Sequence, residues 1–252
     1  MQVRGVGFAT VKGTRHLPRT SVTLAAHGPI GDRAFCLVDP ATSRVLRTVE
    51  HPTLARVVAT DIVGDLHLRL PDGTVVTGHP EPTAEPPLTA DYWGRPATLR
   101  LLAGPHAAGL AAYLGRPVRL AATRPGDVVW AGVVSVVTTG ALERLAERLR
   151  AAGHVPPADL AERFRATLTL DAADDPLPGT TVRVGTATIE VARRIDRCAV
   201  VDVDPESGRR DSSVLAHLER HDGLLTFGVD ARVVQPGQVG VGDTAAVERA
   251  QH

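Results

Sequence analysis

The 252-residue chain is predicted to adopt a mixed, β-rich, barrel-like fold with peripheral helices. Three observations carry this reading. Short runs of β-branched and apolar residues, several alternating in polarity, fill roughly the first eighty residues. Gly, Pro and Asp turns cut these runs apart. Few segments have helical spacing, and they interrupt the strands irregularly, unlike a regular βαβ alternation.

The elements follow in order. VRGVGFATV, SVTLAA, AFCLVD, RVLRTV, ARVVATDIV and LHLRL read as strands, and the PDG at 71–73 followed by TVVTG signals a hairpin after LHLRL. The proline cluster in HPEPTAEPPLTADYW reads as an extended connector, which places a boundary near residue 85 and divides the chain into 1–85 and 86–252. PHAAGLAAYLG, from Pro105 to Gly115, is a short apolar helix stopped by its glycine. VRLAAT returns to strand. GALERLAERLRAAG then places Leu142, Leu145 and Leu149 on one helical face, with Thr139 as cap and Gly153 as stop. PPADLAERF adds a helical turn or two, its prolines tolerated at a helix start. RATLTLDA, TTVRVGTATIEVARRI and CAVVDVD are further strands. SSVLAHLERHDG reads as a third helix, capped by Asp211 or Ser212 and stopped by Gly223, and the segment from Leu224 to Arg249 closes the chain with two or three strands.

Composition excludes several classes. Formal net charge is zero and no basic stripe is visible, so a nucleic-acid partner is not expected. No apolar run is long enough for a membrane span. The glycines and charges of MQVRGVGFATVKG do not suit an export signal, so a cytoplasmic location is expected. Cys36 and Cys198 lie far apart and read as free thiols in a reducing compartment.

Cys198 is the first candidate for chemistry. Arg193, Arg194 and Arg197 lie within five residues upstream and favour a thiolate over a thiol, with Asp196 partly opposing them. Cys36 sits in the apolar run AFCLVD and reads as core. Lys12 is the one lysine among 28 basic residues. Where arginine has replaced lysine everywhere else, a surviving lysine marks a place that suits a compact ammonium. Lys12, Arg33 and Arg165 would bind an anion if the fold brought them together. Asp202, Asp204 and Glu206 read as a strand-to-turn segment rather than a cation site. His217 and His221 have i, i+4 spacing, but Leu218 stands where a metalloprotease needs its Glu, so they read as exposed helix histidines. GQVGVGD at 237–243 lacks the following helix that a phosphate loop requires and reads as a turn.

The order of motifs resembles the MOSC family. Arg163-Phe164-Arg165, then Arg197-Cys198, Asp204-Pro205 and Gly208 are followed by Phe227-Gly228-Val229 and by Pro236-Gly237-x-Val239-x-Val241-Gly242-Asp243. Upstream, Val11-Lys12-Gly13, Gly31-Asp32-Arg33 and His51-Pro52 are similar to the β domain that precedes the MOSC domain in the amidoxime-reducing branch, and Asp91-Tyr92-Trp93-Gly94 is similar to the connecting region. The resemblance implies an N-terminal β-barrel-like subdomain followed by a MOSC barrel with peripheral helices. It also implies a molybdenum cofactor (molybdopterin) between them, with Cys198 as the protein ligand of the metal. Lys12, Arg33, Arg165 and Arg197 would contact the pterin and its phosphate, and Thr138, Thr139 and Thr167 would lie in the same pocket. The implied reaction is reduction of a small N-hydroxylated substrate, with electrons from a separate donor protein. Two positions depart from the family pattern: Thr167 replaces an asparagine, and Val49 stands where an arginine is expected. Two other functions remain open. One is a sulfur carrier using a Cys198 persulfide; the other is a binding protein that kept the fold and lost the cofactor.

Overall fold

In a computed structural model of the protein the described residues are 1–248. It is mixed and strand-rich, as the patterning predicts. A large sheet of nine strands has the order Leu17–Arg19, Val3–Phe8, Leu168–Leu170, Val134–Thr138, Leu224–Gln235, Ala187–Asp196, Thr181–Val184 and Ala245–Glu248, with Glu219–His221 paired to Leu224–Gln235 as a side branch. A three-stranded sheet centred on Ser21–Ala25 covers one face of it. Alternation puts Val22 and Leu24 into the shared core with Val6, Val136, Leu168, Ile189 and Val229.

The second architectural unit is a closed barrel. Arg95–Ala103 pairs with Leu88–Tyr92, which pairs in turn with Arg44–Val45, Phe35–Asp39 and Arg119–Ala122, and the last strand pairs back onto Arg95–Ala103. Five strands leave room inside only for side chains. Cys36, Val38, Ala90, Tyr92, Leu99 and Ala121 fill it, while Leu37 and Leu120 point outward onto a second cluster. Hydrogen bonding therefore crosses residue 85, because strands on either side of that position build one barrel. Outside, helix α1 (His106–Leu114) and the sheet Val58–Ile62, Asp65–Arg69 and Val75–Gly78 pack on Leu37 and Leu120.

Helix α2 (Thr139–Ala151) buries Ala141, Leu145 and Leu149. Its N-cap is Thr138, one residue before the predicted cap. Helix α3 is limited to Leu160–Arg163. Three sequence expectations fail. SSVLAHLERHDG is not a helix; only Leu215–His217 forms a short turn, and Glu219–His221 is a strand. Asp202 Oδ1 accepts the Leu215 amide at 2.8 Å, and Leu218 packs among Leu149, Phe164 and Phe227, so tertiary partners override helical spacing. CAVVDVD is a 3₁₀ turn over Ala199–Asp202 rather than a strand, and RVLRTV forms a strand only over Arg44–Val45. Arg249, the end of the last predicted run, lies outside the described residues. Among the described residues no helix is long and apolar enough to cross a membrane.

Candidate functional site

The long strands Ala187–Asp196 and Leu224–Gln235 pair antiparallel with three register breaks, the last between Arg194 and Asp196. Such breaks bend a strand and re-aim its side chains. Immediately beyond this one, Cys198 leaves the sheet as the N-cap of the 199–202 turn and is half-buried. It lines a cleft of about 860 Å³, open to solvent, between the barrel and the large sheet.

The cations facing Cys198 come from across the fold. Lys12, Arg33 and Arg165 all line the cleft, and they act on one another electrostatically. Burial, then Arg33 and Arg165, holds the Lys12 ammonium well below its ordinary pKa, while Asp32 and Cys198 act in the opposite direction. Burial brings the Arg165 guanidinium down to about 10, with Arg33 adding to the effect. Arg33 is ion-paired with the buried Asp32. Arg165 donates to the Thr14 carbonyl at 2.6 Å. Lys12, Arg165 and Arg197 have no carboxylate partner among the described residues.

The three arginines before Cys198 do not act as a cluster. Arg193 pairs with Asp230 at 3.2 Å, and Arg194 lines a separate groove behind the sheet. Alternation turns Arg194 to the other face, Arg193 is held by Asp230, and beyond the register break only Arg197 lines the cleft. Its Nε donates to the Phe227 carbonyl at 2.8 Å and its Nη1 to the Phe164 carbonyl at 3.0 Å. Its Nη2 is buried without a partner among the described residues. Gly228, at φ +68, makes room for this guanidinium: a Cβ there would lie 2.5 Å from the Val136 carbonyl and 3.3 Å from Arg197 Nη2.

Thr167 lines the cleft and shares hydrogen bonds with Ser135, including one from the Thr167 amide to Ser135 Oγ at 3.0 Å. Thr138 and Thr139 do not line it. Their hydroxyls donate to Asp175 at 2.8 Å and Asp171 at 3.3 Å beside the N-terminus of α2. Val49 lines the cleft as an apolar wall. Cys36 is sealed inside the barrel, where burial pushes its thiol up to about 12. His217 and His221 belong to a turn and a strand, and no cluster of three potential metal ligands occurs among the described residues.

Sequence reasoning missed an aromatic part of the site. The hairpin turn after Leu88–Tyr92 carries Tyr92 and Trp93 to the cleft, and Trp130 and Arg47 complete the rim. Tyr92 is fully buried, its hydroxyl lacks a partner among the described residues, and burial raises its pKa to about 12. The ring stands 5.1 Å from Lys12 Nζ. The available signal was scarcity: the chain has two tryptophans and both meet here. Arg33, Trp93 and Arg165, all cleft residues, hold positive φ values of 47°, 58° and 53°. Left-handed backbone costs a non-glycine residue about 1 kcal/mol or more and collects at functional sites.

No curated protein matches the chain. Among solved structures, the YuaD protein of Bacillus subtilis is similar over 99% of this chain and 96% of its own, at 13% identity and a TM-score of 0.47. YiiM from Geobacillus stearothermophilus is similar over 46% of this chain and 54% of its own, at 18% identity and a TM-score of 0.31. Residues 123–246, the segment that contributes Cys198, Arg165 and Arg197 to the cleft, match the model of the MOSC domain.

Proposed function

We propose that the protein binds a molybdenum cofactor in this cleft and reduces N-hydroxylated compounds, with Cys198 as the protein ligand of the metal. The observation that carries the reading is that the one half-buried thiol faces cations lacking carboxylate partners. The residues present fit the group. Its phosphate would find Lys12, Arg33 and Arg165, and its metal would find a soft thiolate in Cys198. Two buried donors without partners among the described residues, Arg197 Nη2 and Tyr92 Oη, border the same space. When bound, the group would supply two-electron redox chemistry, with a separate donor protein providing the electrons.

The chain's own residues set the conditions for that chemistry. Lys12, Arg33, Arg165 and Arg197 line the same cleft as Cys198 and supply positive charge to whatever binds in front of the thiol. Tyr92 stays protonated because burial lifts its pKa, so its hydroxyl remains a hydrogen-bond donor throughout the neutral range. The backbone carbonyls of Phe164 and Phe227, whose rings stack on each other, accept from Arg197 and hold it in place. Protein from a host supplied with molybdate is expected to hold about one molybdenum per chain, and Cys198→Ala none. Wild-type protein that is folded but free of molybdenum defeats the reading.

The same half-buried thiol also favours a second reading, a sulfur carrier with a Cys198 persulfide. Intact mass spectrometry after treatment with a sulfur donor would then show one sulfur gained reversibly at Cys198. A cleft that acquires neither metal nor sulfur would belong to a binding protein built on the same fold.

A further inference from the structure

The rim of the cleft carries a stack that the proposed cofactor does not account for. The Arg47 guanidinium carbon lies 3.8 Å from the Trp93 ring centroid. Glu50 fixes Arg47 along the edge of its guanidinium, accepting from Nε at 2.9 Å and from Nη2. The Trp130 ring meets Trp93 with centroids 4.7 Å apart and planes tilted by 55°. Trp93 is therefore covered by Arg47 and by Trp130, while Trp130 remains 37% exposed.

Trp130 is also anchored beside the thiol. Its Nε1 donates to the Asp196 carbonyl at 3.2 Å, two residues before Cys198. Exposure separates this rim from the cationic floor: the Arg33 side chain is 15% exposed and Arg165 is half-buried, while Trp130 opens to solvent. A large indole left open within a cleft, with its hydrogen bond satisfied and its neighbour already saturated, offers one unused property, a flat π face. Ligand rings stack on such faces with little regard to their substituents.

We infer that Trp130 is a specificity-determining residue that stacks the aromatic ring of the substrate, so that the reductase proposed above acts on aromatic N–O compounds in preference to aliphatic ones. The inference rests on that proposed reading for the reaction, but ring binding at Trp130 can be measured without it. The ring lies against Trp130, and the N–O group extends inward from the rim toward Cys198 and the cations.

The test uses the full chain and two probes, quinoline N-oxide and N-methylmorpholine N-oxide. Trp93→Phe leaves Trp130 as the only tryptophan, so its fluorescence reports binding at this face. Saturable quenching by quinoline N-oxide, with none by N-methylmorpholine N-oxide, is expected. By calorimetry, Trp130→Ala should weaken quinoline N-oxide binding about tenfold, and Trp130→Phe, which keeps a ring, should restore most of it. Equal affinity for the two probes overturns the inference, as does unchanged affinity in Trp130→Ala. Molybdenum content is read on the same preparations. Trp130→Ala should retain the wild-type amount; its loss would assign Trp130 to the cofactor and overturn the inference. A metal-free wild type that still shows the selective quenching defeats the proposed reaction alone, whereas a molybdenum-loaded protein with no quenching defeats the inference alone.

Discussion

Phe164 and Phe227 stack with ring centroids 4.0 Å apart and planes 19° from parallel, and the carbonyls of these same two residues hold the Arg197 guanidinium. Phe164 comes from the segment after α3 and Phe227 from the strand Leu224–Gln235. Their contact joins the helical layer to the sheet beside the cleft, so packing and charge placement are coupled at one point. Phe227→Ala is expected to cost about 3–5 kcal/mol, as a buried aromatic truncation does. Urea denaturation checks this, and a loss below 1 kcal/mol would show that the stack is not a structural joint.

Gly228 tests the same joint from the backbone. Gly228→Ala places a Cβ 2.5 Å from the Val136 carbonyl at φ +68. A destabilisation of about 1–3 kcal/mol is expected from the strained conformation alone, and the close carbonyl adds to it. A midpoint of chemical unfolding equal to that of the wild type would contradict the geometry.

Lys12 gives the fold a pH dependence whose sign can be worked out. Burial first, and then Arg33 and Arg165, lower its pKa in the folded state from 10.5. Between the lowered value and 10.5 the unfolded chain binds more protons than the folded one, so this group makes stability rise with pH across that window. Below the window its cost is fully present. Lys12→Met should therefore raise the melting temperature at neutral pH, and the gain should shrink as pH approaches 10.5. A variant less stable than wild type at neutral pH would reverse the sign and refute the account.

The unpaired charge around Lys12 and Arg165 predicts an anion effect. Sulfate should raise the melting temperature saturably at constant ionic strength, because an anion bound to the folded state alone shifts the unfolding equilibrium. Arg165→Gln should remove most of that response. A response identical in the variant would mean that sulfate acts through general exclusion from the surface.

The two thiols should separate cleanly by reactivity. Cys198 is half-buried at the cleft, whereas Cys36 is enclosed in the barrel with its pKa pushed up to about 12. Iodoacetamide on native protein should add one label, at Cys198, with Cys36 modified only after denaturation. Peptide mapping that finds Cys36 labelled first would contradict the barrel interior.

The outcome of sequence reading followed the range of the forces involved. The Leu145 and Leu149 spacing and the stop at Gly115 are local patterns, and α2 and α1 follow them. Cys36 was legible as core because its neighbours in sequence are its neighbours in the barrel. The helix expected over 212–223 failed where Asp202 and the 149–164 segment supplied competing partners. Lys12, Arg33, Arg165 and Cys198 were each singled out, but adjacency in sequence misled for Arg193 and Arg194, which the strand carries away from the cleft. Thr138 and Thr139 turned instead to the start of α2. Trp93 lies within a motif and Trp130 in none, and neither points to their pairing, which arises only in the folded chain.

The segment matched by the MOSC model is not self-sufficient as a piece of protein. Val3–Phe8 is the neighbour of Leu168–Leu170, Ser21–Ala25 is the neighbour of Gly237–Gly240, and the Ala245 amide donates to the Met1 carbonyl at 2.9 Å. Excising residues 123–246 would strip four strands (Val3–Phe8, Leu17–Arg19, Ser21–Ala25 and Gly28–Pro29) from the sheets of that half and leave raw β-edges, which are sticky surfaces for other chains. In a nascent chain Val3–Phe8 can pair early with Leu17–Arg19, but its other edge waits for Leu168–Leu170, synthesised more than 150 residues later. One edge of the early strand thus depends for its shelter on sequence that the ribosome has yet to read.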